Sequence, residues 1–152
     1  MNDLLSYGNG KFICSTLHGR DKYVHVSEDG EHWTKVILPD DTPRTYLTKA
    51  TYCHDRYIIF AEDKKLNGIM SFDGYTWESF SIDEENPNDT PFIFYVNNEY
   101  VVINVVGNEV AVRRSPDFIN WSFEILELPM PIVYLYDGAI SADGTIVVIG
   151  DV

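Results

Sequence analysis

Basic residues are scarce in this sequence, 11 Lys and Arg against 24 Asp and Glu, for a formal net charge of −13. A nucleic-acid partner needs a basic track to displace phosphate counterions, so nucleic acid is excluded. Adhesion to anionic lipid by charge is excluded for the same reason. Cysteine is nearly absent: Cys14 and Cys53 cannot build a disulfide framework and read as free thiols, with a single bridge as the alternative. No apolar run approaches the roughly 20 residues that cross a bilayer, and no segment carries helical periodicity. The opening residues, 1–6, have neither the basic start nor the apolar stretch of a signal peptide.

Aromatic residues, by contrast, are abundant, with ten Tyr, eight Phe and three Trp in 152 residues. Such side chains suit pleated, half-buried surfaces. The length suits one domain with a core of its own, and the apolar content argues against disorder.

The sequence repeats. Ser27-Glu28-Asp29-Gly30-Glu31-His32-Trp33, Ser71-Phe72-Asp73-Gly74-Tyr75-Thr76-Trp77 and Ser115-Pro116-Asp117-Phe118-Ile119-Asn120-Trp121 align without gaps. Serine, aspartate and tryptophan each recur at an interval of 44 residues, and all three tryptophans of the chain occupy this one position. A second signal lies out of phase with the first: Asn9-Gly10, His54-Asp55, Asn97-Asn98 and Asp143-Gly144 each precede an apolar run. Such pairs are hairpin signals, because a two-residue primed turn needs positive φ at its centre.

Each unit therefore reads strand, hairpin, strand, loop, strand, box turn, strand. The expected strands are 4–7, 12–15, 23–26 and 33–38; then 50–53, 57–60, 68–70 and 77–82; then 92–96, 100–105, 109–113 and 121–126. Pro-rich and acidic connections follow at 39–43, 87–91 and 129–131. Four antiparallel strands every 40–50 residues is the size of a propeller blade, which must stack on neighbours to make a core. The expected fold is all-β: one β-propeller over residues 1–152, with blades at about 3–40, 46–85 and 91–129. The first two strands of a fourth blade follow at about 131–152. The count is four first hairpins and three boxes, so the propeller is expected to be incomplete or completed by association.

These segments resemble the Asp-box (BNR) repeat of sialidase-like propellers, in the Ser-x-Asp-Gly-x-x-Trp form common in bacterial and bacteriophage repeat proteins. The resemblance covers essentially the whole chain. It implies that the box is the turn between the third and fourth strands of each blade. With no signal peptide or membrane-spanning run, the expected location is cytoplasmic or virion-associated if the N-terminus is genuine. Ser27, Asp29, Gly30 and Trp33 form the first box, Ser71, Asp73, Gly74 and Trp77 the second, and Ser115, Asp117 and Trp121 the third. Ser and Asp side chains accept from turn amides that would otherwise lack partners. Glycine supplies the backbone angle, and Trp anchors the hairpin. Equal roles would make each Trp→Ala cost about 3–5 kcal/mol. The third box has Phe118 in the glycine position, so a different turn geometry is expected there.

The resemblance also prompts a search for a sialidase-like site of three arginines, a Tyr–Glu nucleophile pair and an Asp acid/base. Of Arg20, Arg44, Arg56, Arg113 and Arg114, the last two are neighbours on one strand and must point to opposite faces. No triad assembles, and the Arg-Ile-Pro motif near the start of those enzymes is absent. His18, His25, His32 and His54 lack zinc-ligand spacing. The acidic loops at 39–41 and 83–86 lack the spacing of a calcium hand. No cofactor motif is found. The reading is a non-enzymatic recognition or structural module, its partner a glycan or protein, with Tyr46, Tyr75 and Tyr136 as candidate stacking platforms. Self-association through open blade faces is the other expected partnership, and a fragment of a sialidase-like glycoside hydrolase is the alternative.

Overall fold

In the computed structural model of the protein, which describes residues 4–16, 19–83 and 90–152, the apolar alternation becomes strands throughout. His18 and residues 84–86 of the second acidic loop lie outside the described residues. Among those described there is no α-helix; a single 3-10 turn occupies Gly19–Asp21.

The strands form four antiparallel sheets. The first has the order β1 (Leu5–Gly8), β2 (Lys11–Ser15), β3 (Tyr23–Ser27), β4 (Thr34–Ile37). The second runs β5 (Tyr46–Leu47), β7 (Arg56–Glu62), β8 (Leu66–Ser71), β9 (Glu78–Asp83), with β6 (Thr51–Cys53) also paired to β7. In the third, β10 (Phe92–Val96), β11 (Glu99–Val106), β12 (Glu109–Ser115) and β13 (Ser122–Leu126) are neighbours in sequence order. The fourth is the pair β14 (Tyr134–Ile140) and β15 (Ile146–Asp151). Two details differ from the sequence expectation. The short strand β5 was not anticipated, and each tryptophan sits just ahead of its last strand rather than inside it.

The chain divides into two compact units, Met1–Glu85 and Asn86–Val152. In the first, the face of sheet one carrying Ile13, Val24, Val26 and Val36 packs on the face of sheet two carrying Tyr57, Ile59, Ala61 and Ile69. Tyr57 fixes the register of that stack by donating its hydroxyl to the Gly8 carbonyl at 2.8 Å. In the second unit, Phe94, Val101, Ile103, Val105, Val110 and Val112 of sheet three pack on Leu135, Ile146 and Val148 of sheet four. Period-2 alternation makes this possible, since each strand supplies one row to one face and a second row to the other.

Each of the first three sheets therefore has two kinds of face. A leading face carries an aromatic pair: Tyr7–Phe12 at 4.7 Å in sheet one, Tyr52–Tyr57 at 4.8 Å in sheet two, Tyr95–Tyr100 at 5.0 Å in sheet three. The trailing face is the aliphatic one. Within the first unit, the trailing face of sheet one meets the leading face of sheet two.

Candidate functional site

The box residues converge within their own turns. In the first, the Gly30 amide donates to Ser27 Oγ at 2.8 Å, and the Glu31 and His32 amides both donate to Asp29 Oδ1 at 2.8 Å. The second box has the same arrangement: Gly74 N to Ser71 Oγ at 2.8 Å, with Tyr75 N at 2.8 Å and Thr76 N at 2.7 Å from Asp73 Oδ1. In each, the serine hydroxyl also donates to the aspartate at 3.1 Å. A tight turn leaves these amides without ladder partners, and the side chains satisfy them.

The third box meets its expectation of a different geometry only in part. Phe118 takes φ 64, close to φ 79 at Gly30 and φ 84 at Gly74. The aspartate bonds are kept, Ile119 N and Asn120 N donating to Asp117 Oδ1 at 2.9 and 2.8 Å, while Ser115 Oγ accepts from the Asp117 amide at 3.3 Å, one residue earlier than in the other boxes. Holding a bulky residue in this region costs roughly 1–2 kcal/mol. Phe118 offsets it by burial, 4% exposed and edge-on to Tyr100 and Trp121, each with ring centres at 5.2 Å.

Sequence counting also missed a fourth cradle. Ser141 Oγ bonds Asp143 Oδ1, and the Thr145 amide reaches both, at 3.1 Å to Ser141 and 3.2 Å to Asp143. The signal was present as Ser141-Ala142-Asp143-Gly144, but it lies off the 44-residue interval and has no following Trp.

The tryptophans do not share one role. Trp77 is 6% exposed and donates its indole N–H to the Gly74 carbonyl at 2.9 Å. Trp33 makes the equivalent bond at 3.2 Å but is 41% exposed. Trp121 is half-buried. An equal cost for the three substitutions is therefore corrected.

The turn amides lower the carboxyl pKa of each box. Asp29 is held well below the ordinary range chiefly by the His32 amide, then by the His32 ring and the Glu31 amide. Asp73 is lowered by the Thr76 and Tyr75 amides. Asp117 is lowered by the Asn120 amide and side chain and by the Ile119 amide. A carboxyl whose pKa is lower folded than unfolded stabilises the fold above the unfolded pKa of about 4, and loses that contribution as pH falls through the folded value. Stability should accordingly be flat near neutrality and decline below about pH 4–5. Asp73→Asn should be less stable at pH 7 and show a shallower acid slope in urea titrations. Identical slopes for variant and wild type would refute the assignment.

Both buried arginines are already occupied. Arg56 is buried, with Nε 2.8 Å from Asp55 Oδ1 and its guanidinium 4.6 Å from the Phe72 ring centre. Buried Arg113 donates to Asn104 Oδ1 at 2.7 Å, while Arg114, on the opposite face, pairs with Glu124 at 2.8 Å. Burial, reinforced by Asp55, pushes the Cys53 thiol up to about 12, so it is a poor nucleophile at neutral pH. Cys14 and Cys53 are both free. Among the described residues, no group of His, Cys, Asp and Glu is placed to hold a metal ion, and no helix is long and apolar enough to cross a membrane.

Exposed aromatics remain. Tyr46 is 52% exposed and Tyr136 53%. Tyr75, at the tip of the second box, donates its hydroxyl to Glu28 of the first at 3.4 Å, and Lys11 stands 5.8 Å over its ring. Lys11, Glu28 and Tyr75 thus form a polar-aromatic cluster bridging two adjacent turns. The chain matches no protein-family model and no curated protein.

Proposed function

We propose that the chain is a non-enzymatic recognition or structural module of β-propeller blades, with the sheets as blades and the box tips as its ligand-facing surface. One observation carries this reading: the Asp-box serines and aspartates are engaged in holding their own turns, while Tyr75, Lys11 and Glu28 stand together at the tips. A π-face beside one cation and one carboxylate suits a sugar ring, which stacks on aromatics and hydrogen-bonds to flanking charges. The proposed ligand is a neutral or amino-bearing glycan on a surface whose charge disfavours polyanions.

The experiment is a glycan array with wild type and Tyr75→Ala, run beside a fluorogenic sialoside assay. Expected are glycan binding reduced at least tenfold by Tyr75→Ala and no turnover. Sialoside hydrolysis would establish the hydrolase reading instead. Binding unaffected by Tyr75→Ala would remove the box-tip site.

A further inference from the structure

Two sheet faces stay open among the described residues, and they are of opposite kinds. The leading face of sheet one carries Leu5, Tyr7, Phe12, Tyr23 and Ile37, with Tyr7 64% and Ile37 69% exposed. Strand pairing puts these on one side, because Leu5 opposes Cys14, Tyr7 opposes Phe12 and Tyr23 opposes Ile37. The outer face of sheet four carries Tyr134, Tyr136, Val147 and Ile149, the last two 58% and 57% exposed. Its inner side, Leu135, Ile146 and Val148, is already packed on sheet three, so the outer one is the trailing face by position, although it carries a Tyr134–Tyr136 pair at 4.6 Å beside its aliphatic residues.

The repeat itself says what covers a leading face. In sheet two, Tyr52 and Tyr57 occupy the places that Tyr7 and Phe12 hold in sheet one. There Tyr57 is 2% exposed, because the trailing face of sheet one lies over it and accepts its hydroxyl. Tyr7 and Phe12 belong to the same kind of surface without the cover. The complementary surface, an open trailing face, is the one on sheet four.

Charge agrees with the match. The leading face of sheet one bears Lys35, with its ammonium 4.2 Å over the Tyr23 ring, and His25 beside Tyr23 at 5.3 Å. Sheet four's outer face bears Asp137 opposite Ile149, and Asp151, which accepts the Tyr136 hydroxyl at 2.7 Å. A cationic apolar face thus answers an anionic apolar one, in a chain whose overall charge disfavours unspecific self-contact.

We infer that the trailing face of sheet four docks on the leading face of sheet one in a second copy of this chain, head to tail. This rests on the sheet-on-sheet packing within the chain and not on the glycan reading. The interface is heterologous: the two surfaces are different patches, so an open row leaves one face free at each end and grows unless it closes into a ring.

Sedimentation of the full chain over a hundredfold concentration range reads the assembly state. Expected is mass growth in steps of 17.4 kDa, weakened at high salt. Ile37→Glu blocks the leading face and Ile149→Lys the trailing face; both residues are exposed, and far-UV circular dichroism checks that each variant folds. Each variant alone should be monomeric. An equimolar mixture should form 1:1 pairs, since each supplies the face the other has lost. A wild-type monomer at every concentration would overturn the proposal. So would association abolished by only one of the two variants, or a mixture that stays monomeric.

Discussion

Gly68→Ala is expected to destabilise the first unit by at least about 3 kcal/mol. The reason is space and not backbone angle. Gly68 sits in β8 opposite Phe60 of β7 and Phe80 of β9, at the centre of sheet two. A Cβ placed there would lie 2.1 Å from the Ile59 carbonyl oxygen and 3.0 Å from the Phe60 Cα. Both are backbone atoms of a paired strand, so relief requires β7 and β8 to separate. The flanking rings of Phe60 and Phe80, 5.7 Å apart and edge-to-face, cover the gap that the missing side chain leaves. The control is Gly10→Ala. No atom would lie within 4 Å of its Cβ, but its φ is +79, so it should lose only about 1 kcal/mol from the left-handed backbone. Urea unfolding followed by tryptophan fluorescence measures both, since Trp33 and Trp77 lie in the affected unit. Equal losses for the two variants would show that the close approach at Gly68 is not what holds that strand pair together.

Gly68 also marks a limit of sequence reading. The equivalent positions in the other repeats are Val24 and Val112, both buried, so periodicity alone would put a branched residue there. The close approach is to Ile59 and Phe60 of β7, and long-range strand pairing of that kind leaves no local trace in composition. Strand existence was legible because apolar alternation and the turn pairs are local properties. Three first hairpins bear this out, in Asn9-Gly10, His54-Asp55 and Asn97-Asn98, with φ 47 and 79 in the first, 58 at His54, and 52 and 61 in the last. The boxes were legible for the same reason, and their bonds span two or three residues. Less legible was anything set by which face meets which. Phe118 keeps the turn despite its bulk because Tyr100 and Trp121 hold it, contacts that no local motif encodes. Arg113 and Arg114 on opposite faces followed from strand period; the burial of Arg113 against Asn104 did not.

The three tryptophans turn the same distinction into a measurement. Trp77→Ala should cost about 3–5 kcal/mol, the usual loss for a buried large aromatic, and Trp33→Ala about 1 kcal/mol, near the worth of one exposed hydrogen bond with partial packing. The motif is identical, and so is the bond from indole to the turn carbonyl. What differs is the cover. Trp77 belongs to the core cluster with Tyr57 and Ile69 on the leading face of sheet two, where sheet one lies over it. Trp33 stands at the margin of the leading face of sheet one, whose Tyr7 and Ile37 are exposed. Thermal or urea unfolding of the two variants decides the point, and equal losses would mean that the turn bond and not the packing sets the energy. The contrast should also depend on concentration. If a second copy covers the leading face, Trp33 emission shifts to the blue as the chain associates, Trp77 emission does not, and the cost of Trp33→Ala rises toward that of Trp77→Ala. A Trp33 spectrum constant across the association would place the contact elsewhere on the molecule. The energy of a box tryptophan is thus a property of the sheet stacked on it, which the four-residue signature by itself does not contain.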